Sequence, residues 1–292
     1  MKNYSKAWYD ALAVERFTGP WPSEYGPGMP MLPFVTCPLP PALRKFFREH
    51  GEVRYYQPGE SIIQGEVVKG MQVVESGLSC RVAATLTGQS GPGLMAMATP
   101  HRFATGNLNV ATRRSQIGEY IALSKVTTRR IAHAEVDESG LLRDKTSLRM
   151  LLSLKETIHL SDRMALAISA ILPANLRFAS FMVAWGTYFG TVESGPRGQR
   201  IRVPVPGRTR HFATVANVSE VTMEKILAEY RQKAGLERDG DFWVFDSEIL
   251  QEAHEWMRGT DGEESFYTRP PRVESLFEWA MTQDVSVPDP RS

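Results

Sequence analysis

Hydrophobic and polar positions divide this chain into stretches of different period. From Gly51 to about Leu142 the apolar residues come in short runs: VRYY, SIIQ, MQVVES, LSCRVAATL, LMAMAT, EYIALS and TTRRIAHAEV. These runs are rich in β-branched and aromatic residues, and the spacers between them (QPGE, GEVVKG, SG, TGQSGPG, DESG) carry the Gly, Pro and Asp that tight turns need. Many short strands at close spacing predict a compact β-barrel or roll. From Thr146 to Gly190 the period becomes helical. Leu151, Leu154, Ile158, Ala165, Ile168 and Leu172 form a heptad-like stripe, interrupted by the polar Ser161. Such a stripe reads first as an intramolecular core face and only second as a dimer seam. Pro173 then suits the first turn of another helix, ANLRFASFMVAWGTYFG.

After the short extended piece IRVPVP, the stretch RTRHFATVANVSEVTMEKILAEYRQKAGLERDGDFWVFD is the most informative. One helix ends near Ala216, and Asn217 stands where a turn needs positive φ, which Asn tolerates. Ser219 is a good N-cap for a second helix through about Lys233, and Gly235 closes it. RDGD makes a tight hairpin between Leu236–Arg238 and Phe242–Phe245. Helix, short turn, helix, hairpin is the order of a winged helix-turn-helix. An amphipathic helix over 247–258 and a last short helix in RVESLFEWAMTQ follow. At the other end, a short aromatic helix is expected within Tyr4–Phe17, then a Pro- and Gly-dense run, then a helix over 42–50. The Pro/Gly run is either a loose leader or a strap packed on the body by its Trp and Phe residues.

The chain's 292 residues suffice for two domains, and 42% hydrophobic residues suffice for real cores. Two cysteines, Cys37 and Cys80, cannot build a disulfide framework or a four-cysteine metal or iron–sulfur site. No apolar run approaches the about 18 residues of a membrane span, and the opening lacks the apolar core of a signal peptide, so a cytoplasmic protein without a membrane partner is expected. Net charge is +1, but it is unevenly spread. Residues 197–233 hold eight basic and three acidic residues, whereas 234–292 hold five basic and fourteen acidic, a balance of minus nine. Nucleotide-binding, metalloprotease and serine-hydrolase motifs are absent, and His101 and His133 alone do not make a cupin-like metal site, so no enzyme is expected.

The order of these parts resembles the cyclic-AMP receptor protein (Crp/Fnr) family of transcription regulators over roughly residues 42–255. YYQPGESII with the following VVESG resembles the start of that family's sensor roll; IGEYIAL with Arg129 and Arg130 further on resembles its phosphate-binding cassette; ANLRFASFMVAWGT with the helix-turn-helix resembles its hinge and DNA-binding module. The resemblance implies an α+β fold: an accessory arm (1–41), an effector-sensing β-roll (42–145), connector helices carrying dimerisation (146–190), a winged helix-turn-helix (191–258) and an acidic tail (259–292). It implies a small anionic effector, a cyclic nucleotide among others, held by Gly118, Glu119, Arg129 and Arg130, with no certain cofactor. Arg130 stands where the family usually has Ser or Thr, and its bulk crowds a cyclic phosphate. Double-stranded DNA, a second copy of the chain and RNA polymerase are the implied partners. Thr209 and Arg210 match phosphate contacts, and Ser219, Glu220, Val221, Thr222 and Lys225 lie on the base-reading helix. The family's Arg, Glu and Arg are replaced there by Glu220, Val221 and Lys225, so a different base preference is expected. Glu220 and Glu224 also favour an alternative: a ligand-sensing or protein-interaction module whose winged helix no longer binds DNA. The acidic tail either folds back to compete with DNA, binds a partner or solubilises.

Overall fold

The computed structural model describes residues 4–17, 32–63, 70–82, 94–105, 119–195, 198–260 and 270–283. The β-rich segment folds as two four-stranded antiparallel sheets. One has the order β1-β8-β3-β6, from Glu52–Tyr56 (β1), Val126–Ala132 (β8), Gly70–Ser76 (β3) and Phe103–Thr105 (β6). The other has the order β2-β7-β4-β5, from Ser61–Ile63 (β2), Glu119–Ala122 (β7), Ser79–Val82 (β4) and Leu94–Ala98 (β5). Because successive side chains point to opposite faces, each sheet offers one face to the roll interior. There Ile62, Val74, Ala98, Ala104, Tyr120, Ala122 and Val126 meet. The opposite face of the first sheet, with Met71, Val73 and Ile131, packs on Leu43 and Phe47 of helix α2 (Pro41–His50). Gly77 makes the turn between β3 and β4 at φ +90°, and a Cβ there would lie 2.1 Å from the Lys125 carbonyl oxygen, so the SG turn requires its glycine.

Helix α3 (His133–Glu138) leads into α4 (Lys145–Ile171), which Asp144 caps by accepting from the Ser147 N–H at 2.7 Å. The stripe Leu151, Leu154, Ile158, Ala165, Ile168 and Leu172 is buried within the chain. Ser161, the polar break in it, is also buried, and its hydroxyl donates to the Leu32 carbonyl of the N-terminal arm. The stripe is therefore a core face, and its polar interruption has an internal partner.

Helix α5 (Ala174–Phe189) is buried almost all round from Phe178 onward. It packs against a four-stranded antiparallel sheet, β11-β12-β10-β9, made of Glu237–Asp239 (β11), Phe242–Asp246 (β12), Gly198–Pro204 (β10) and Thr191–Gly195 (β9). Helices α6 (Thr209–Val215) and α7 (Glu220–Lys233) form the helix-turn-helix, followed by the β11–β12 wing, a 3-10 turn (Ser247–Leu250) and α8 (Gln251–Thr260). The tail contributes α9 (Val273–Thr282), whose Val273, Leu276, Phe277 and Ala280 are fully buried against α5 and β9. This described part of the tail is core material, not a free acidic segment.

The described part of the N-terminal arm is a strap. Helix α1 (Lys6–Leu12) buries Trp8 and Leu12, and the Trp8 indole N–H donates to the Val205 carbonyl at 2.9 Å. Its cap residue, Ser5, donates its backbone N–H to Asp241 at 2.8 Å, and Arg16 donates to the Thr187 carbonyl at 3.1 Å. Leu32, Phe34 and Val35 rejoin the same core after the Pro/Gly run, most of which lies outside the described residues.

Candidate functional site

The base of the helix-turn-helix is set by backbone chemistry. Asn217 adopts φ +50°, and the Val218 and Asn217 N–H groups donate to the Ala213 and Thr214 carbonyls. Arg177 of α5 donates to the Asn217 carbonyl at 3.2 Å, tying the turn to the platform below it. Ser219 caps α7, accepting from the Thr222 N–H at 3.1 Å, and the two hydroxyls lie 3.0 Å apart. Both are thus engaged in capping. Met223, Ile226, Leu227 and Tyr230 form the buried face of α7, which leaves Glu220, Val221, Glu224 and Lys225 on its open face. Val221 is 69% exposed. Thr209 is half-buried at the start of α6, with Arg210 exposed beside it.

The basic segment resolves into two groups. Arg200 pairs with Glu237 at 2.7 Å and Asp246 at 3.5 Å, and Arg202 pairs with Asp239 at 2.9 Å while lying 3.6 Å over the Phe242 ring. These arginines stitch the wing sheet. Arg208, Arg210, Lys225 and Arg231 are exposed and carry no ion pair among the described residues, and Arg210 Nε donates to His211 Nε2 at 3.4 Å. His211 sits among them with Nδ1 accepting from the Arg208 N–H at 3.2 Å. Burial first, and then Arg210 and Arg208, lower its pKa to about 4.

In the roll, Gly118 lies outside the described residues. Glu119 opens β7, its backbone pairing with Val82, whereas Arg129 and Arg130 lie on β8 in the other sheet. Arg129 is on the outward face with Ile131. Its Nε donates to Glu75 at 2.7 Å and its Nη1 to the Gly51 carbonyl at 3.1 Å. Arg130 shares the inward face with Val126 and Thr128, in register with Glu52 and Gln72. Beside it Tyr56 and Thr128 both donate hydroxyl hydrogens to Gln72 Oε1, at 2.9 and 2.8 Å. A cavity of about 10 Å³, about enough for one water, lies where the roll meets the arm and α4, lined by Thr36, Arg81, Ala96, Ala98, Tyr120 and Ile158 among others. Arg81 on β4 forms an ion pair with Asp162 on α4, tying the roll to the long helix; burial raises the Asp162 pKa against the pull of that arginine.

One residue that sequence reasoning passed over joins the two halves. Arg102 is 1% exposed. Its Nε donates to the Thr36 carbonyl at 2.7 Å, and its Nη1 donates to Thr99 Oγ1 at 2.6 Å and the Pro100 carbonyl at 3.0 Å. Its guanidinium lies 4.7 Å from the ring centre of Tyr188 and 4.9 Å from that of Phe189, both on α5. Burial lowers its pKa to about 10. No local sequence signal marks it, because its partners come from distant segments. Among the described residues no three His, Cys, Asp or Glu side chains cluster as metal ligands, and no helix is long and apolar enough to cross a membrane.

No protein-family model matches the chain, and no curated protein does. Solved structures do. A transcriptional regulator of the CRP/FNR family from Thermus thermophilus is 15% identical over 70% of this chain and 98% of its own, with a TM-score of 0.52. FixK2 from Bradyrhizobium japonicum is 14% identical over 70% and 96%, with a TM-score of 0.56. The c-di-GMP-responsive global regulator CLP from Xanthomonas campestris is 13% identical over 70% and 97%, with a TM-score of 0.53. At these identities the likeness is one of fold: β-roll, long helix and C-terminal helix-turn-helix are arranged in this chain as they are in CRP/FNR regulators.

Proposed function

We propose that this chain, folded as the CRP/FNR regulators are, is a divergent member of that family: a cytoplasmic, homodimeric transcription regulator that reads double-stranded DNA with α7 and answers to a small anionic effector. The observation that carries this reading is α7 itself. It is capped, seated on the α5 platform, and open to solvent along Glu220, Val221, Glu224 and Lys225, with Arg208, Arg210 and Arg231 exposed on the same helix-turn-helix and in no ion pair among the described residues. Lys225 suits a guanine or phosphate, Val221 a thymine methyl, and Glu220 a cytosine amino group. Thr209 and Arg210 at the start of α6 suit the flanking phosphates. Ser219 and Thr222 act chiefly by holding the helix start.

A second copy of the chain fits the outward face of α4. There Arg149, Leu152, Glu156, His159, Arg163, Leu166 and Ala170 are all exposed and recur at alternating spacings of three and four. That is the spacing of a two-helix seam, with Leu152 at 55% and Leu166 at 57% exposure as its apolar positions.

Selection of genomic DNA fragments by the purified protein, with Lys225→Ala in parallel and at two salt concentrations, tests the reading. The expected result is a palindromic site whose enrichment falls with Lys225→Ala. Arg210→Ala should weaken binding evenly across sequences and reduce the slope of log affinity against log salt by about 1. Recovery of no motif, with or without cyclic nucleotides, would favour the second reading, a sensing module with a winged helix that has left DNA. The exposed carboxylates Glu220 and Glu224 are the observation in favour of that alternative.

A further inference from the structure

A cleft of about 100 Å³ lies on the outer side of the roll, between α2, strands β3 and β8 and the loop before β6. It is lined by Arg44, Arg48, Val73, Glu75, His101 and Arg129, among others. It is distinct from the roll interior, since Arg129 points away from that interior. Glu15 of the N-terminal arm closes one side, in an ion pair with Arg44 and with His101 Nε2 at 3.3 Å.

The charges in this cleft do not balance. Three guanidiniums, Arg44, Arg48 and Arg129, meet two carboxylates, Glu15 and Glu75. Glu75 is taken up by Arg129, and Glu15 is shared between Arg44 and His101. Arg48 has no ion pair among the described residues. Arg44 is only 8% exposed, yet its Nε–H is buried without a hydrogen-bond partner, a donor whose isolation is costly. The surplus positive charge is also felt by His101. Burial first, and then Arg44, Arg102 and Arg48, lower its pKa to about 4, in spite of the raising effect of Glu15. An orphaned guanidinium donor, an uncommitted guanidinium and an imidazole held neutral by burial, and further by its cationic neighbours, converge on one small concavity.

We infer that this cleft is a binding site for a small free oxyanion of the sulfate or phosphate type, held by Arg44, Arg48 and Arg129. At about 100 Å³ it lies below the roughly 300–1,000 Å³ of pockets that take larger organic ligands, and it has room for a tetrahedral oxyanion. Planar guanidiniums are the side chains best matched to such oxygens. The bound anion would also make His101 more basic, so binding would take up a proton as the pH falls toward the imidazole range. This inference needs no DNA and stands apart from the reading of α7.

Calorimetric titration of the full chain with sodium sulfate, against sodium chloride at matched ionic strength, tests it. Sulfate keeps its charge across pH 5–8, so any pH dependence belongs to the protein. The expected result is saturable binding at one site, tighter at pH 5.5 than at pH 7.5. Arg48→Gln should weaken it about tenfold, and Arg48 is exposed, so the variant should fold. Lys45→Gln, on the same helix and exposed, should leave it unchanged. His101→Gln should remove the pH dependence. Absence of saturable heat, or equal binding by wild type and Arg48→Gln, would overturn the inference. Equal weakening by Lys45→Gln would overturn it as well, by showing a diffuse charge effect.

Discussion

Replacing Trp8 by Ala tests whether the N-terminal arm is part of the folded body. Trp8 has 0% exposure, stacks on Tyr4 with ring centres 3.9 Å apart, meets Tyr9 edge-on at 5.0 Å, and donates its indole N–H to the Val205 carbonyl at 2.9 Å. A buried aromatic of this kind removes about 150–250 Å² from water. At about 25 cal/mol per Å² that is ~4–6 kcal/mol as an upper bound. Measured Trp or Phe to Ala changes in cores cost about 3–5 kcal/mol. Helix α1 has only seven residues and lies at the edge of the fold, so undocking of the arm limits the loss; about 3 kcal/mol is expected. Trp8→Phe keeps most of the ring but removes one of two donors to the Val205 carbonyl, which still accepts from the Gly207 N–H at 2.8 Å, and should cost about 1 kcal/mol. Guanidinium unfolding followed by near-ultraviolet circular dichroism reads both, as a lowered midpoint with an unchanged slope. A Trp8→Ala protein within about 0.5 kcal/mol of wild type would refute the reasoning and make the arm a loose leader. A Phe variant as unstable as the Ala variant would refute the division between ring and hydrogen bond.

Other outcomes follow from the same packing. At Gly186 of α5 a Cβ would stand 2.6 Å from Ile201 Cδ1 and 2.9 Å from Phe277 Cε1, so Gly186→Ala should destabilise by about 1–3 kcal/mol, measured by the same unfolding assay. His101 and His211 both have folded pKa values of about 4, below the ordinary 6.5. The unfolded chain therefore binds more protons between those values, and the stability these imidazoles contribute is present above pH 6.5 and lost as pH falls toward 4. Unfolding midpoints at pH 7.5 and 5 should show the fall, and a His101→Gln, His211→Gln double variant should show a smaller one. Leu152→Glu with Leu166→Glu should yield a folded monomer by sedimentation equilibrium if α4 carries the dimer seam; an intact dimer would place the seam elsewhere.

Much of the C-terminal half was legible because its signals are local. Asn217 at positive φ, Ser219 as a cap, and Gly235 and Gly240 at φ +57° and +59° each obey a backbone rule that needs no knowledge of the rest of the chain. The wing strands fell within a residue or so of their expected limits. The roll was legible as strands but not as a site. Whether Arg129 or Arg130 faces inward depends on how β8 pairs with β1 and β3, and one residue of register exchanges the two faces. The tail shows another limit. Its helix could be read from apolar spacing, yet its charge pointed to competition with DNA, a partner or solubility, and only the fold brings Phe277 against Gly186. Arg102 lay beyond sequence reasoning altogether, since it bonds Thr36, 66 positions away, and stacks on residues of a helix still further along.

The place of Arg102 also bears on how this protein can move. Its one guanidinium clamps the arm, the roll and α5. A single apolar cluster runs on from Leu78, Cys80 and Met97 of the roll, through Phe181 and Trp185 of α5, to Phe212 and Met223 of the helix-turn-helix. Among the described residues this core is continuous from the roll to the helix-turn-helix, so a swinging-arm motion between them would tear it open. Heating should then melt the molecule in one calorimetric transition, not two. Any signal crossing from roll to α7 must travel as an exchange between two tightly packed arrangements, rapid to complete once begun and costly to leave half-made.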